Sequence, residues 1–212
     1  MILGLAKIAE VYFSTTVGRD KVFRFIQYFS RFVSNTIEDK MLIEKLKSVI
    51  SSASTTRKWL RLFRLDFYTP LLSFIEGNRQ IDSVLQNLDF IRNISMQLFF
   101  YCDHALLFNT LKLYTPSKDV LAQLKKSHMK FWAIGIMLNM LKHLHVYSIY
   151  PKKKQDKKSF IMDHKKFLMD FIDLLIPLTS LGYLKFSDSH VGIFGSITAL
   201  NGAYEQYKKV NI

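Results

Sequence analysis

Asp20, Arg24, Gln27 and Arg31 recur at steps of four, three and four residues, a spacing that stacks them on one stripe of an α-helix. Val22, Phe25, Ile26, Phe29, Phe32 and Val33 fall opposite, with Phe23 and Tyr28 along the borders. A second segment repeats the division: Arg57, Arg61 and Arg64 share one face, and Trp59, Leu60, Phe63 and Phe67 line the other. The chemistry that suits such helices is non-covalent. Guanidinium groups can sit among lipid phosphates while phenyl rings enter the acyl chains. The same pattern equally suits the core face of a soluble helix bundle, and spacing alone leaves both readings open.

Residue types that carry catalysis or bind metal are present without the geometry. His143 and His145 stand two apart on a helix and diverge, with no carboxylate or cysteine nearby in sequence to complete a site. Cys102, Asp103 and His104 are consecutive, and consecutive helical residues do not face one another. Asp170 and Asp173 share a face, which fits a buried polar position or a pore wall better than an acid–base pair. The Gly192–Gly195 stretch, GIFG, is neither a phosphate loop nor a dinucleotide fingerprint. The reading is therefore of a non-enzyme without cofactor or metal.

The elements that must position these residues are helices. Eighteen Phe and ten Tyr stand against eight Gly and four Pro, and 49% of the residues are apolar. Helical periods recur over Gly18–Val33, Met41–Ile50 and the segment capped by Ser54 or Thr55. Thr36 with Asp39 resembles a capping box, Pro70 is expected to kink or end its helix, and Gly77-Asn78 reads as a stop. Further helices are expected from about Gln80 to Tyr114, from Ser117 to about Ile149, and over Phe167–Leu184 and Val191–Tyr207. The fold class is all-α: a bundle of long amphipathic helices with one or two central or C-terminal helices embedded in a membrane. The chain divides into 1–78, N-terminal amphipathic membrane-remodelling helices; 79–150, a central helical region that includes a candidate membrane segment; 151–166, a Lys-rich linker; and 167–212, a C-terminal membrane-embedded hairpin or span.

The net charge of +13 points to a polyanionic partner, either nucleic acid or the negative face of a membrane. Nucleic acid fits poorly, because a stacking platform exposes rings and charge together and here the rings lie away from the arginines. The lone Cys102 excludes an intramolecular disulfide. The N-terminal apolar run is broken by Lys7 and Glu10, which does not read as a secretory signal. No stretch is a clean membrane span; the longest without Asp, Glu, Lys or Arg runs from Ser189 to Tyr204. In that run Gly192, Gly195, Ser196, Ala199, Gly202 and Ala203 form a continuous small-residue stripe. Small residues are how helices approach closely in lipid, whereas in water each helical glycine costs ~1 kcal/mol relative to Ala.

Five segments, in order, carry a resemblance that covers essentially the whole chain. They are GRDKVFRFIQYFSRF (Gly18–Phe32), TTRKWLRLFR (Thr55–Arg64), FYCDHALLF (Phe100–Phe108), KFWAIGIMLNMLKH and HVGIFGSITALNGAYEQY. Together they resemble the peroxin-11 family of peroxisomal membrane proteins. The chain departs from the family pattern at Phe63, where Gly is usual, and at Leu107, where Trp is usual. The resemblance implies location in the peroxisomal membrane, or the glycosomal one in organisms with glycosomes, and a role in organelle elongation, division and abundance. It also implies self-association into homo-oligomers and recruitment of a fission machinery that includes a dynamin-related GTPase. The family picture has spans near Ile91–Leu111 and Val191–Tyr207.

The expected mechanism is a wedge. Phe23, Phe25, Ile26, Phe29, Trp59 and Phe63 enter one leaflet to a depth of ~5–10 Å. Arg19, Lys21, Arg24, Arg31, Arg57, Lys58, Arg61 and Arg64 attract anionic lipids at ~1 kcal/mol each. The alternative is a pore for small metabolites, with Asp170, Asp173 and Asn201 lining an aqueous path.

Overall fold

The computed structural model describes residues 2–62, 68–77, 82–149 and 157–210. Phe63, Arg64 and Phe67, and residues 151–156 of the expected linker, lie outside them. The described residues form eight α-helices and no strand: α1 (Ile2–Ser14), α2 (Thr16–Ser34), α3 (Lys40–Leu60), α4 (Tyr68–Ile75), α5 (Ser83–Thr110), α6 (Lys118–Ile149), α7 (Lys157–Ser180) and α8 (Asp188–Val210). Among them no helix is long and apolar enough to cross a membrane. Length is not what α5 lacks; Asp89, Arg92 and Asp103 interrupt its apolar run.

Helix starts follow side-chain oxygens. Thr15 caps α2, its hydroxyl accepting from the Gly18 N–H at 3.0 Å. Asp39, rather than Thr36, caps α3 and accepts from Met41 and Leu42. From there α3 runs unbroken through Ser51–Thr56, so the two helices expected there are one. Asp82 caps α5 in the same way. α7 ends through Gly182 at φ +84°, with the Tyr183 N–H returning to the Leu178 carbonyl at 3.0 Å.

The helices pack as two compact units that do not follow chain order. Unit 1 joins Met1–Leu62 to Lys185–Ile212, and unit 2 is Phe63–Leu184. The divisions at 78, 150 and 166 follow chain order instead, and they part α8 from the α2 helix on which it packs. In unit 1, α2 lies at the centre with α3, α8 and α1 against it; in unit 2, α6 packs on both α5 and α7, and α4 leans on α5.

Candidate membrane-contact surface

Unit 1 turns the charged stripe of α2 inward. Asp20, Arg24, Tyr28, Ser30 and Ser34 are buried. The Arg57 Nε of α3 donates to Asp20 Oδ1 at 3.0 Å, and a terminal nitrogen of the same guanidinium donates to Gln27 Oε1 at 2.8 Å. Arg24 donates to Thr198 Oγ1 of α8 at 3.0 Å and lies 5.6 Å from the centroid of the Tyr28 ring. Arg31 pairs with Asp188 at the start of α8. Burial acts to raise the Asp20 carboxyl, but the charges of Arg57, Arg61 and Lys21 and the Arg57 hydrogen bond outweigh it and hold it below the ordinary carboxylate value. Burial depresses the Arg57 guanidinium, with Asp20 opposing.

The small-residue stripe of α8 meets the same face of α2. A Cβ on Gly192 would lie 2.6 Å from the Phe32 backbone nitrogen, and one on Gly195 would clash with the Cγ edge of the Tyr28 ring. Ser196 and Ala199 are buried beside them. Farther along, Gly202 abuts the Lys21 side chain and Ala203 is half-buried. With the backbones this close, the unit's interior holds glycine, alanine, serine, threonine and paired charges, together with the Tyr12 and Tyr28 rings and Val191.

The rings point the other way. Phe29 is 47% exposed and Trp59 48% exposed. Phe25 stacks on Phe29 with centroids 5.4 Å apart, and Phe32 extends the row at 6.4 Å. On the outer face of α8, Ile193, Ile197, Leu200 and Tyr204 are exposed, as are Val11 and Phe13 of α1 and Met41, Leu42 and Val49 of α3. This corrects the expected arrangement of charge. Arg24 and Arg57 are inside the packing and Arg31 is committed to Asp188, so these three do not stand beside the rings as phosphate contacts. Arg19 is exposed; Lys21, Phe23, Ile26, Lys58 and Arg61 are half-buried. Spacing missed Thr198 and Asp188, which lie 174 and 157 residues from their arginine partners. No local pattern signals either pairing.

Unit 2 shows a related division on α5, where Ile91, Ile94, Leu98, Tyr101 and Phe108 are exposed. Its inner side carries polar pairs with α6: Asp103 lies 3.2 Å from His128, Asp89 2.6 Å from Lys142 and Asp82 3.0 Å from His145. Backbone N–H donation from Leu85, then His145 and Val84, holds the Asp82 carboxyl below its ordinary value. His143 faces Asp170 at 3.3 Å, so His143 and His145 diverge to separate carboxylates. Burial, then the neighbouring Asp103 charge, pushes the Cys102 thiol up, away from nucleophilic character. Asp170 and Asp173 belong to unit 2 and Asn201 to unit 1.

A family model described as Peroxisomal biogenesis factor 11 (PEX11) matches residues 7–207. The chain is 22% identical to peroxisomal membrane protein PMP27 of Saccharomyces cerevisiae, over 91% of this chain and 90% of the relative. It is 24% identical to human peroxisomal membrane protein 11A, over 91% and 94%. It is 29% identical to peroxisomal membrane protein PMP30B of Candida boidinii, over 59% of this chain and 51% of the relative. No solved structure matches it.

Proposed function

Because the chain belongs to the peroxisomal biogenesis factor 11 family, whose relatives are proteins of the peroxisomal membrane, we propose that it binds and curves that membrane to promote elongation, fission and proliferation of the organelle. The observation that carries this reading is the inversion of unit 1. Its Asp20–Arg57 pair and small residues are inside, and the Phe13, Phe29 and Trp59 rings are exposed. In water, contiguous exposed apolar faces of this kind mark contact surfaces. In lipid, polar side chains turn toward neighbouring helices and find partners there, while small residues let the helices close up.

The unit acts as a preformed wedge. Phe25, Phe29, Phe32 and Trp59 enter the headgroup–acyl boundary of one leaflet and expand it. Exposed and half-exposed cations, Arg19, Lys21 and Lys58 among them, supply the salt-sensitive attraction. Self-association of such wedges would draw a tubule, and a dynamin-related GTPase is the proposed partner that severs it. The role is mechanical and uses no catalytic group.

The test replaces Phe25, Ile26 and Phe29 together with Ser. Partial burial of three such side chains is worth ~1 kcal/mol each, so partitioning onto anionic vesicles is expected to fall about 100-fold and tubulation to stop. Tubulation at the wild-type level, with helicity retained, would overturn the reading. Metabolite passage is a second reading, supported by the carboxylates of α7, although Asn139 already donates to Asp170 at 2.6 Å. Discrete conductance steps in planar bilayers would favour it over curvature.

A further inference from the structure

Within unit 2, α5 and α6 form an antiparallel hairpin. Asp82, Asp89 and Ser95 meet His145, Lys142 and the Phe131 carbonyl, so one helix ascends as the other descends. α7 follows α6 from His164 beside Tyr147 to Leu178 against the Ala133–Ile136 cluster, and it ends at Ser180. The end of α5 and the opening turns of α6, from Lys118, therefore project past the end of α7.

The backbone at this tip is tightly specified. The Lys112 N–H returns to the Asn109 carbonyl at 3.1 Å and the Leu113 N–H to the Phe108 carbonyl at 2.9 Å, a Schellman ending. Lys112 takes φ +59°, the left-handed region where glycine is usual and a side chain is strained. Strain of this kind concentrates at functional sites. In such endings the residue after the left-handed one commonly packs on the helix, here Leu113 on Phe108. Leu113 nevertheless remains 75% exposed, and Phe108 is exposed as well. Pro116 favours extended backbone at Thr115, and the Ser117 hydroxyl accepts from the Val120 N–H at 3.4 Å as α6 begins. The turn thus holds its apolar side chains outward.

Those side chains stand among positive charges. Leu111, Leu113, Tyr114 and Val120 are exposed, and so are Lys112 and Lys118 between them. Residues 111–130 hold five lysines and one acid, Asp119. A projecting tip has no wall to enclose a small ligand. Leucine and tyrosine interleaved with lysine suit a headgroup layer, where apolar groups reach the acyl boundary and ammonium groups stay at the level of the phosphates. The excess of lysine selects an anionic surface.

We propose that the α5–α6 tip is a second membrane contact, in which Leu113 and Tyr114 enter the headgroup–acyl boundary of an anionic bilayer and Lys112 and Lys118 face its phosphates. The proposal rests on the membrane-binding reading and extends it from unit 1 to unit 2. Insertion stops at the tip. Ile94, about 25 Å back along α5, stays outside the bilayer, which separates this contact from a membrane span. Two contacts on one chain each raise the effective concentration of the other.

The experiment uses the full chain with Cys102→Ala and a single new cysteine, Leu113→Cys, Ile94→Cys or Phe29→Cys, labelled with an environment-sensitive dye. Each is mixed with phosphatidylcholine vesicles with or without phosphatidylserine, and lipids carrying a shallow or a deep quencher report depth. The dye at 113 is expected to brighten on the anionic vesicles and to be quenched by the shallow lipid, with the dye at 94 unchanged. In the unlabelled chain, Lys112→Gln with Lys118→Gln should lower partitioning onto anionic vesicles about 30-fold at low salt. Leu113→Ser should lower it about tenfold. All three side chains are exposed, so helicity should be retained. A dye at 113 that stays in water while the dye at 29 enters overturns the proposal and leaves the unit 1 wedge standing. Deep quenching at 94 overturns it too, because α5 then spans. So does unchanged partitioning of both variants, or a dye at 113 that responds to unlabelled protein without vesicles, which assigns the tip to a protein contact. If neither 113 nor 29 enters, the membrane reading falls with it.

Discussion

The two units are built from different interior materials. Unit 1 buries Gly192, Gly195, Ala53, Ala199, Ser30 and Ser196 around the Asp20–Arg57 pair, with Val191 as its one buried branched aliphatic among the described residues. Unit 2 buries Phe99, Phe100, Leu106, Leu107, Ile136, Leu174 and Ile176, and sets its polar pairs among them. Both leave large apolar side chains outside. Unit 1 is therefore held by close backbone approach, charge pairing and the buried Tyr12 and Tyr28 rings rather than by an aliphatic core. Unit 2 keeps a conventional apolar contribution, concentrated where Ala133, Ile136 and Leu174 meet Trp132, Met140 and Leu178.

Cutting the charge pair is the strongest way to break this contrast. Arg57→Ala leaves Asp20 buried without its main partner, a change expected to cost about 3–5 kcal/mol. Lys142→Ala removes an ammonium from a pair whose members are 33% and 23% exposed in their side chains, and is expected to cost under ~1 kcal/mol. Each unit carries one tryptophan, Trp59 and Trp132 respectively, so fluorescence-monitored unfolding in detergent, with the other Trp replaced by Phe, assigns each loss. Equal losses would erase the distinction. Acid sharpens it. The folded Asp20 carboxyl titrates below its unfolded value of about 3.9, so its contribution is complete above that pH and is lost as pH falls through the lower folded value. Asp20→Asn should flatten that acid limb in the Trp59 signal alone.

A glycine in each unit tests the packing next. At Gly195 an added Cβ meets the Tyr28 ring, which is buried and hemmed in by Arg24, so Gly195→Ala is expected to cost about 1–3 kcal/mol through overpacking. At Gly135 the added Cβ meets the Met96 sulfur at 2.8 Å. A methionine tip moves aside readily, and Ala gains about 0.8–1 kcal/mol of helix propensity over Gly. Gly135→Ala is therefore expected to be near neutral in thermal unfolding. A large loss there would mean that unit 2 also depends on backbone contact.

Much of this architecture is legible in the residues. The period of α2, the small-residue run of α8 and the capping chemistry near Asp39 all read from local spacing, because helices are local objects. The inward direction of the charged stripe does not. An amphipathic helix specifies that its two faces differ, and the surroundings decide which is inside. Arg24 finds Thr198 across 174 residues of chain, and Arg57 finds Asp20 across 37; neither partner carries a local mark. The continuity of α3 was hidden for another reason. Ser51, Ser52, Ser54, Thr55 and Thr56 look like caps and breakers, yet Thr56 turns its hydroxyl back to the Ser52 carbonyl at 2.9 Å and the helix continues.

The smallest effect lies at a helix end in unit 2. α5 terminates through Lys112 at φ +59°, with the Leu113 N–H returning to the Phe108 carbonyl at 2.9 Å. α7 ends with the same bonding pattern through Gly182. A side chain in the left-handed region costs about 1–2 kcal/mol, and introducing glycine returns part of that through the greater freedom of the unfolded chain. Lys112→Gly is thus expected to stabilise unit 2 by about 0.5–1 kcal/mol, visible as a higher unfolding midpoint in the Trp132 signal with Trp59 unchanged. Gly182→Ala should move the same signal down by a similar amount, because it imposes on α7 the strain that α5 already carries. If Lys112→Gly instead lowers the midpoint, the lysine side chain contributes more at that turn than its backbone loses, and the two helix ends are not equivalent.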